Sequence, residues 1–164
     1  MDETTYLTDE LRPVAEWVGE DVSDLVKKYE AAVAEHPEPR FVEVARAEPD
    51  TRVAADFHKE YNLTIVPRVL VLKVSVDAQT GADWHAKVEV TPTVFGYKLK
   101  SSGFELSRLN SSITIHPAIS VAGADLTLGF YGPKLCFGVS GDVWYWALKK
   151  HKKPIDASNL FCLM

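Results

Sequence analysis

The chain has 164 residues, of which 46% are hydrophobic and 25% are charged. This is ordinary globular usage, so disorder over most of the length is excluded, and no run approaches the roughly 20 apolar residues of a membrane-spanning helix. The net charge is −5. An acidic chain is a poor general binder of nucleic acid, so no nucleic-acid partner is expected.

The charge is distributed unevenly along the chain. Residues 1–62 carry 7 Lys and Arg against 16 Asp and Glu, whereas residues 63–164 carry 11 against 7. The two parts therefore have net charges of −9 and +4. Their attraction favours an N-terminal part that lies on the rest of the chain, although single surface ion pairs are weak.

The beginning of the chain, MDETTYLTDEL, is acidic and polar, unlike a secretory leader, so a cytoplasmic location is expected. The two cysteines, Cys136 and Cys162, form no CxxC motif and have no His/Cys cluster at metal-ligand spacing. Because cytosolic disulfides are rare, both are expected to be reduced structural thiols. The sequence predicts no metal site and no cofactor.

The acidic part has a helical pattern. A short helix is predicted over residues 9–19, with Pro13 in its first turn. A clearer helix begins after Asp21, a favourable N-cap, and ends at His36-Pro37. Its apolar face recurs at spacings of three and four, through Val22, Leu25, Val26, Tyr29 and Val33.

Two further elements are predicted before residue 63. Residues 41–45 favour a short strand. A third helix is predicted over residues 50–62, because Asp50 can cap it and apolar residues recur at spacing four, at Val53, Phe57 and Tyr61.

After Asn62 the hydrophobic period changes to two, which is the period of a strand. Residues 63–77 predict a long strand, and residues 84–90 predict a return strand with one buried face and one wet face. Further strands are predicted at 96–99, 104–109 and 112–115. Residues 125–148 predict a three-strand meander, whose turns fall at residues 132–133 and 140–142.

Many short strands with no helix between them favour antiparallel pairing. We therefore expect an α+β fold, with two or three N-terminal helices packed on a predominantly antiparallel β-sheet, sandwich or partial barrel. The chain is expected to form a single domain, residues 1–164. Its parts are an acidic helical part (1–62), an antiparallel β part (63–153) and a C-terminal tail (154–164).

Residues 41–72, FVEVARAEPDTRVAADFHKEYNLTIVPRVLVL, resemble the strand–helix–strand middle of a thioredoxin-like domain. Pro67 stands where that family places a cis proline, so the resemblance implies a cis peptide bond there. The redox CxxC motif, an evident first strand and the terminal helix of that family are absent from the pattern. The resemblance is therefore not adopted as the fold of the chain.

The most distinctive stretch is VWYWALKKHKK, residues 143–153, in which three consecutive aromatic residues precede a lysine run. In the two strands predicted before it, one face contains Gly129 and Gly138, whereas the third strand is apolar on both faces. One aromatic set must therefore lie across the glycine-containing face, where missing side chains leave a shallow groove. An indole over glycine forms a flat platform, of the kind that binds sugar rings, lipid headgroups or bases.

The predicted ligand-binding residues are Tyr131, Trp144, Trp146, Lys149, Lys150, Lys152 and Lys153. The ligand would be an anionic lipid, a carbohydrate or a protein partner. Trp and Tyr favour the bilayer interface, and each nearby Lys can add about 1 kcal/mol at an anionic leaflet. Two alternatives stay open. The N-terminal helices could bury the strand on both faces. The lysines could simply be solvated or pair with the acidic helices.

Other classes of function also stay open, because no GxSxG, P-loop, GxGxxG or HExxH motif is present. An enzyme would have its pocket between helices and sheet, and the first side chains to inspect are Asp83, His85 and His116. A structural protein would form homo-oligomers through its exposed apolar strand. The partner is thus a small ligand, a protein, an anionic membrane surface or a second copy of the chain.

Overall fold

A computed structural model describes residues 3–35, 39–43, 57–147 and 149–164. Two α-helices come first, α1 (Glu3–Val18) and α2 (Val22–Ala34). Eleven strands follow within the described residues: β1 (Arg40–Glu43), β2 (Phe57–Val66), β3 (Leu70–Gln79), β4 (His85–Val94), β5 (Tyr97–Lys98), β6 (Ser102–Ser107), β7 (Ser112–Ile115), β8 (Ala118–Ile119), β9 (Ala122–Tyr131), β10 (Cys136–Ala147) and β11 (Lys149–Ala157).

The strands form two antiparallel sheets. The first has the order β1-β2-β3-β4-β5, and β6 also pairs with β4. The second has the order β11-β10-β9-β7, and β8 also pairs with β9. Helices that precede two antiparallel sheets confirm the predicted α+β class. No helix of the described chain is long and apolar enough to cross a membrane.

The hydrophobic core contains residues from both helices and both sheets. In β4, buried and exposed residues alternate from His85 to Val90, as the two-residue period predicts. Aromatic rings join the two sheets: the ring of Trp84 lies 5.1 Å from that of Phe130, and the ring of Tyr61 lies 6.5 Å from that of Phe137.

Helix α1 begins earlier than the predicted residue 9, so Pro13 lies in its interior and not in its first turn. A proline inside a helix costs about 3 kcal/mol, which packing of the apolar face must offset. That face consists of Leu7, Leu11 and Ala15, all buried at a spacing of four. The helix ends as predicted at Gly19, whose φ of 76° and N–H bond to the Ala15 carbonyl close the last turn.

Helix α2 has the predicted N-cap, since the Asp21 carboxylate accepts a hydrogen bond from the Ser23 N–H at 2.8 Å. The buried Tyr29 side chain joins this helix to the second sheet. Its hydroxyl lies 2.8 Å from the carbonyl oxygen of Val121 and 2.9 Å from that of Trp146, and it accepts from the Trp146 N–H at 3.0 Å. The hydroxyl therefore bridges the helix, the start of β9 and the end of β10.

Replacing Tyr29 by phenylalanine is expected to destabilise the chain by about 1–3 kcal/mol, because buried carbonyl groups lose their donor while the ring stays packed. Urea unfolding of the natural chain and of Tyr29→Phe measures this difference. Tyr97→Phe is the matched control, since Tyr97 is an exposed tyrosine. Equal stability of Tyr29→Phe and the natural chain would show that the bridge contributes nothing.

The prediction of a third helix over residues 50–62 is wrong for the residues that the structure describes. Residues 50–56 lie outside the described residues, and residues 57–62 belong to strand β2. The acidic helical part therefore does not extend to residue 62. A spacing of four places Phe57 and Tyr61 on one face of a helix, but an even spacing also places them on one face of a strand. Of the predicted strand at 41–45, residues 41–43 lie in β1 and residues 44–45 are outside the described residues.

The predicted turn at residues 140–142 is also wrong, because β10 continues through them. Gly141 keeps its register opposite Leu126 although its φ is 141°. The third strand of the meander is therefore β11, which contains the lysine run. The turn predicted at Gly132-Pro133 is confirmed, and Gly132 has a φ of 78°.

The thioredoxin-like resemblance implied a helix before Pro67 and a cis bond at it. Strand β2 occupies residues 57–66 and pairs antiparallel with β3. The described residues contain no cis peptide bond. The resemblance is therefore wrong in both respects.

The expectation of two reduced thiols is wrong, because Cys136 and Cys162 form a disulfide. The last residues run antiparallel to the start of β10, so the two cysteines lie opposite each other. Backbone bonds from Phe137 N–H to the Phe161 carbonyl (2.7 Å) and from Leu160 N–H to the Phe137 carbonyl (3.0 Å) hold the same segment. The predicted tail is thus partly strand β11, which ends at Ala157, and partly a segment bound to β10.

Candidate functional site

The outer face of the second sheet contains the glycines singled out by the sequence. Residues that are opposite each other in neighbouring strands share a face, so the register assigns its members. We call this surface the glycine face. It consists of Gly123, Asp125, Thr127, Gly129 and Tyr131 of β9, Cys136, Gly138, Ser140, Asp142, Trp144 and Trp146 of β10, Ser112 and Thr114 of β7, Ala118 of β8, and Lys150, Lys152, Pro154 and Asp156 of β11.

Trp144 lies flat at one end of the glycine face. A Cβ atom added to Gly123 would lie 2.8 Å from the indole, so the ring rests on the glycine backbone. The ammonium group of Lys150 lies over the ring, 4.7 Å from its centroid. The half-buried indole therefore contacts both a glycine and a cation.

Tyr131 lies over the other two glycines of the face. A Cβ atom added to Gly138 would lie 3.4 Å from the tyrosine ring, and one added to Gly129 would lie 2.9 Å from its hydroxyl. The side chain is nevertheless 46% exposed, so its outer surface faces solvent. Glycines 123 and 129 are six positions apart on β9, so the two aromatic residues mark a face about 20 Å long.

Hydroxyl groups and carboxylates lie between the two aromatic residues. The hydroxyls belong to Ser112, Thr114, Thr127 and Ser140. The carboxylate of Asp125 bonds the imidazole of His116 at 2.7 Å, and that of Asp142 lies 3.7 Å from the Lys152 ammonium. Such groups can accept and donate hydrogen bonds to a ligand laid along the sheet.

Trp146 is also on the glycine face, but helix α1 covers part of it. The Tyr6 ring lies 4.8 Å from the indole, and Trp146 is half-buried. Burial raises the pKa of the Tyr6 hydroxyl, and the nearby Glu10 carboxylate raises it further, so the phenol stays neutral. Helix α1 therefore shields part of this indole, whereas Asp125, Tyr131 and Ser140 of the same face are exposed.

The predicted lysines do not act as one group. Strand β11 is the edge of the sheet, and its register places Lys150 and Lys152 on the glycine face. Lys149 and Lys153 lie on the opposite face, where the Lys153 ammonium is 5.9 Å from the Tyr145 ring. In the described chain, neither helix forms an ion pair with Lys149, Lys150 or Lys152. Leu148 is outside the described residues.

The edge position of β11 bears on self-association. Exposed strand edges can pair with a second copy, and lysines and proline on an edge oppose this. Strand β11 carries four lysines together with Pro154. The predicted self-associating apolar strand is instead β10, which is paired on both sides.

The enzyme candidates are not brought together. Asp83 is almost fully exposed, 4.0 Å from the Arg108 guanidinium, and its neighbour His85 faces solvent on β4. His116 belongs to the second sheet, next to Asp125. Within the described residues, Asp83 and His116 thus have different partners and lie next to strands of different sheets.

Sequence reasoning missed a buried polar cluster on the outer face of the first sheet. His58 was assigned to the exposed side of a helix, but it lies on β2 opposite Asp77 and its Nδ1 bonds that carboxylate. Its Nε2 lies 3.7 Å from the Glu60 carboxylate, which also lies 3.7 Å from the Lys73 ammonium. His58, Glu60 and Asp77 are each at least 89% buried. Only the β2–β3 register, which the sequence did not reveal, brings them together.

The described residues contain no group of three or more His, Cys, Asp or Glu side chains that could hold a metal ion. The chain was also compared with protein-family models, with curated proteins and with solved structures. None of the three comparisons finds a match.

Proposed function

We propose that this chain is a non-enzymatic binding module whose glycine face binds a neutral polysaccharide. The observation that carries the proposal is the pair of aromatic rings, Trp144 and Tyr131, each lying flat on glycines about 20 Å apart along the sheet. A flat ring packs against the apolar face of a sugar, and the hydroxyls and carboxylates between the rings can bond its hydroxyl groups.

The charges of the face favour a neutral ligand over an anionic membrane. Two lysines, Lys150 and Lys152, are balanced by three aspartates, Asp125, Asp142 and Asp156. The lysine run contributes only half of its members to this face. An anionic leaflet attracts clustered lysines, and the aspartates would oppose that attraction. A sugar that packs on the Trp144 ring would displace the flexible Lys150 side chain from the ring and bond its ammonium group.

Two features of the fold accompany the proposal. The rings that join the sheets favour a sandwich, in which the inner faces form the core and the glycine face points outward. The cytoplasmic location stays an expectation from the sequence. The Cys136–Cys162 bond favours instead a compartment where disulfides persist, which is where polysaccharides are commonly met.

Sedimentation with insoluble polysaccharides tests the proposal. The natural chain is expected to sediment with cellulose, mannan or xylan, and Tyr131→Ala to lose about tenfold or more of this affinity. Tyr97→Ala is the matched control, because Tyr97 is 43% exposed but lies on the first sheet. It is expected to bind like the natural chain.

Vesicles with anionic or neutral lipids provide the opposing outcome. Salt-sensitive sedimentation with anionic vesicles alone, without binding to any polysaccharide, would overturn the proposal in favour of a membrane surface. Loss of binding in Tyr97→Ala equal to that in Tyr131→Ala would likewise exclude the glycine face. Light scattering measures the mass of the free chain and so separates the self-association hypothesis from the polysaccharide and membrane hypotheses.

A further inference from the structure

A second site is independent of the glycine face. A cavity of about 490 Å³ lies between α2 and two neighbouring turns at one end of the first sheet. Its walls are mainly apolar, from Ala31, Ala32, Val69, Val71 and Phe95. Small-molecule sites have this size and this apolar lining, with few polar groups.

The β2–β3 turn places an arginine at the cavity in an unfavourable backbone conformation. The Val69 N–H bonds the Val66 carbonyl at 3.0 Å, and Pro67 and Arg68 are the central residues of the turn. Arg68 has a φ of 64°. A positive φ at this position, after a proline, is the arrangement of a type II turn, which favours glycine or asparagine.

The β4–β5 turn repeats the feature on the other side of the cavity. Phe95 and Gly96 have φ values of 50° and 85°, and Val94 pairs with Tyr97. Two consecutive positive φ values are typical of a type I′ turn, whose first central residue is commonly Asn, Asp or Gly. A phenylalanine there is as unfavourable as the arginine in the neighbouring turn.

Both unfavourable side chains line the same cavity. Local backbone strain is often retained where a side chain is needed for function, so the pairing points to a ligand that contacts both. Arg68 is exposed and forms no ion pair with any described residue. Its guanidinium is therefore available to an anion.

Two other charged residues line the cavity, Lys28 and Glu35, and neither is suited to bind an anion. The Lys28 ammonium is held by the Glu20 carboxylate at 3.0 Å. That hydrogen bond, and then the charge of Glu20, raise the pKa of Lys28, so its charge persists and is already balanced. Glu35 also lines the cavity, and its carboxylate would repel an anion that is not seated on Arg68.

We propose that this cavity binds a small amphipathic carboxylic acid of the medium-chain fatty acid class. The apolar chain lies against Phe95 and Val71, and the carboxylate bonds the Arg68 guanidinium in bidentate geometry. Thr93 also lines the cavity, and its side chain is the uncharged polar one among the lining residues.

Calorimetric titration with decanoate tests the proposal. Decanoate is expected to bind the natural chain, and Arg68→Gly to weaken this binding by about tenfold or more. Glycine relieves the positive φ, so the melting temperature of Arg68→Gly is expected to stay unchanged or to rise. A loss of binding without a loss of stability separates a ligand contact from a structural role.

Arg108→Gly is the matched control, because Arg108 is an exposed arginine away from the cavity. It is expected to bind decanoate like the natural chain, and decanol is expected to bind the natural chain about tenfold more weakly than decanoate. Failure of decanoate to bind the natural chain, or equal binding by Arg68→Gly, overturns the proposal. Neither result bears on the glycine face.

Discussion

Replacing Gly141 by alanine is expected to destabilise the chain by about 3 kcal/mol or more, the sum of an unfavourable backbone conformation and a steric overlap. Gly141 has a φ of 141°, which an alanine rarely adopts. A Cβ atom there would overlap the backbone carbonyl oxygen of Asp125 on the neighbouring strand. Strands β9 and β10 would have to separate where they support the glycine face.

Denaturant unfolding of Gly141→Ala measures the effect. The matched control is Gly103→Ala, because Gly103 also lies in a strand but an added Cβ meets no atom within 4 Å. That control is expected to be neutral or slightly stabilising, since alanine reduces the freedom of the unfolded chain. A Gly141→Ala variant as stable as Gly103→Ala would contradict the continuous strand β10.

Removing the disulfide has the second large effect. Cys136 and Cys162 are 26 residues apart, and a loop of this length restricts the unfolded chain by about 3 kcal/mol. The Cys136→Ser/Cys162→Ser variant is expected to lose this stability. The segment after Leu160 should also become more accessible to proteases, because without the disulfide it is held by non-covalent contacts, among them the backbone bonds of Phe161, Leu163 and Met164.

Thiol titration and unfolding with and without reductant check this prediction. The unfolded natural chain is expected to show no free thiol before reduction, and reductant should lower its stability to that of the double variant. The double variant itself should be insensitive to reductant. Two free thiols in the unreduced natural chain would contradict the pairing and restore the expectation of reduced cysteines.

The strands were predictable where hydrophobic alternation was regular. Residues of β4 alternate from His85 to Val90 and those of β3 from Leu70 to Val74, so the faces of the β3–β4 hairpin could be assigned from the sequence. The single strand predicted over residues 63–77 is wrong, because a turn between Val66 and Val69 divides it between β2 and β3. Even spacing is ambiguous, which is why Phe57 and Tyr61 were assigned to a helix. Gly141 was assigned to a turn because glycine beside serine and aspartate favours turns, and only cross-strand pairing shows that the chain continues.

The candidate site was predictable to the extent that it depends on alternation within one strand. Tyr131 shares a face with Gly129, and Trp144 with Trp146, by counting residues. The division of the lysines was not predictable, because it depends on the register of β11 against β10. The same limit applies to the cysteine pair and to Arg68 and Phe95, which the folding of separate turns brings together.

The most direct test of the binding surface is a two-dimensional NMR titration with a soluble oligosaccharide of a polysaccharide that the chain sediments with. Shifts are expected to concentrate at the indole N–H of Trp144 and at the amides of Thr127, Ser140 and Tyr131, while the indole of the buried Trp84 stays unchanged. Shifts confined to the outer face of the first sheet, with none on β9 and β10, would contradict binding at the glycine face.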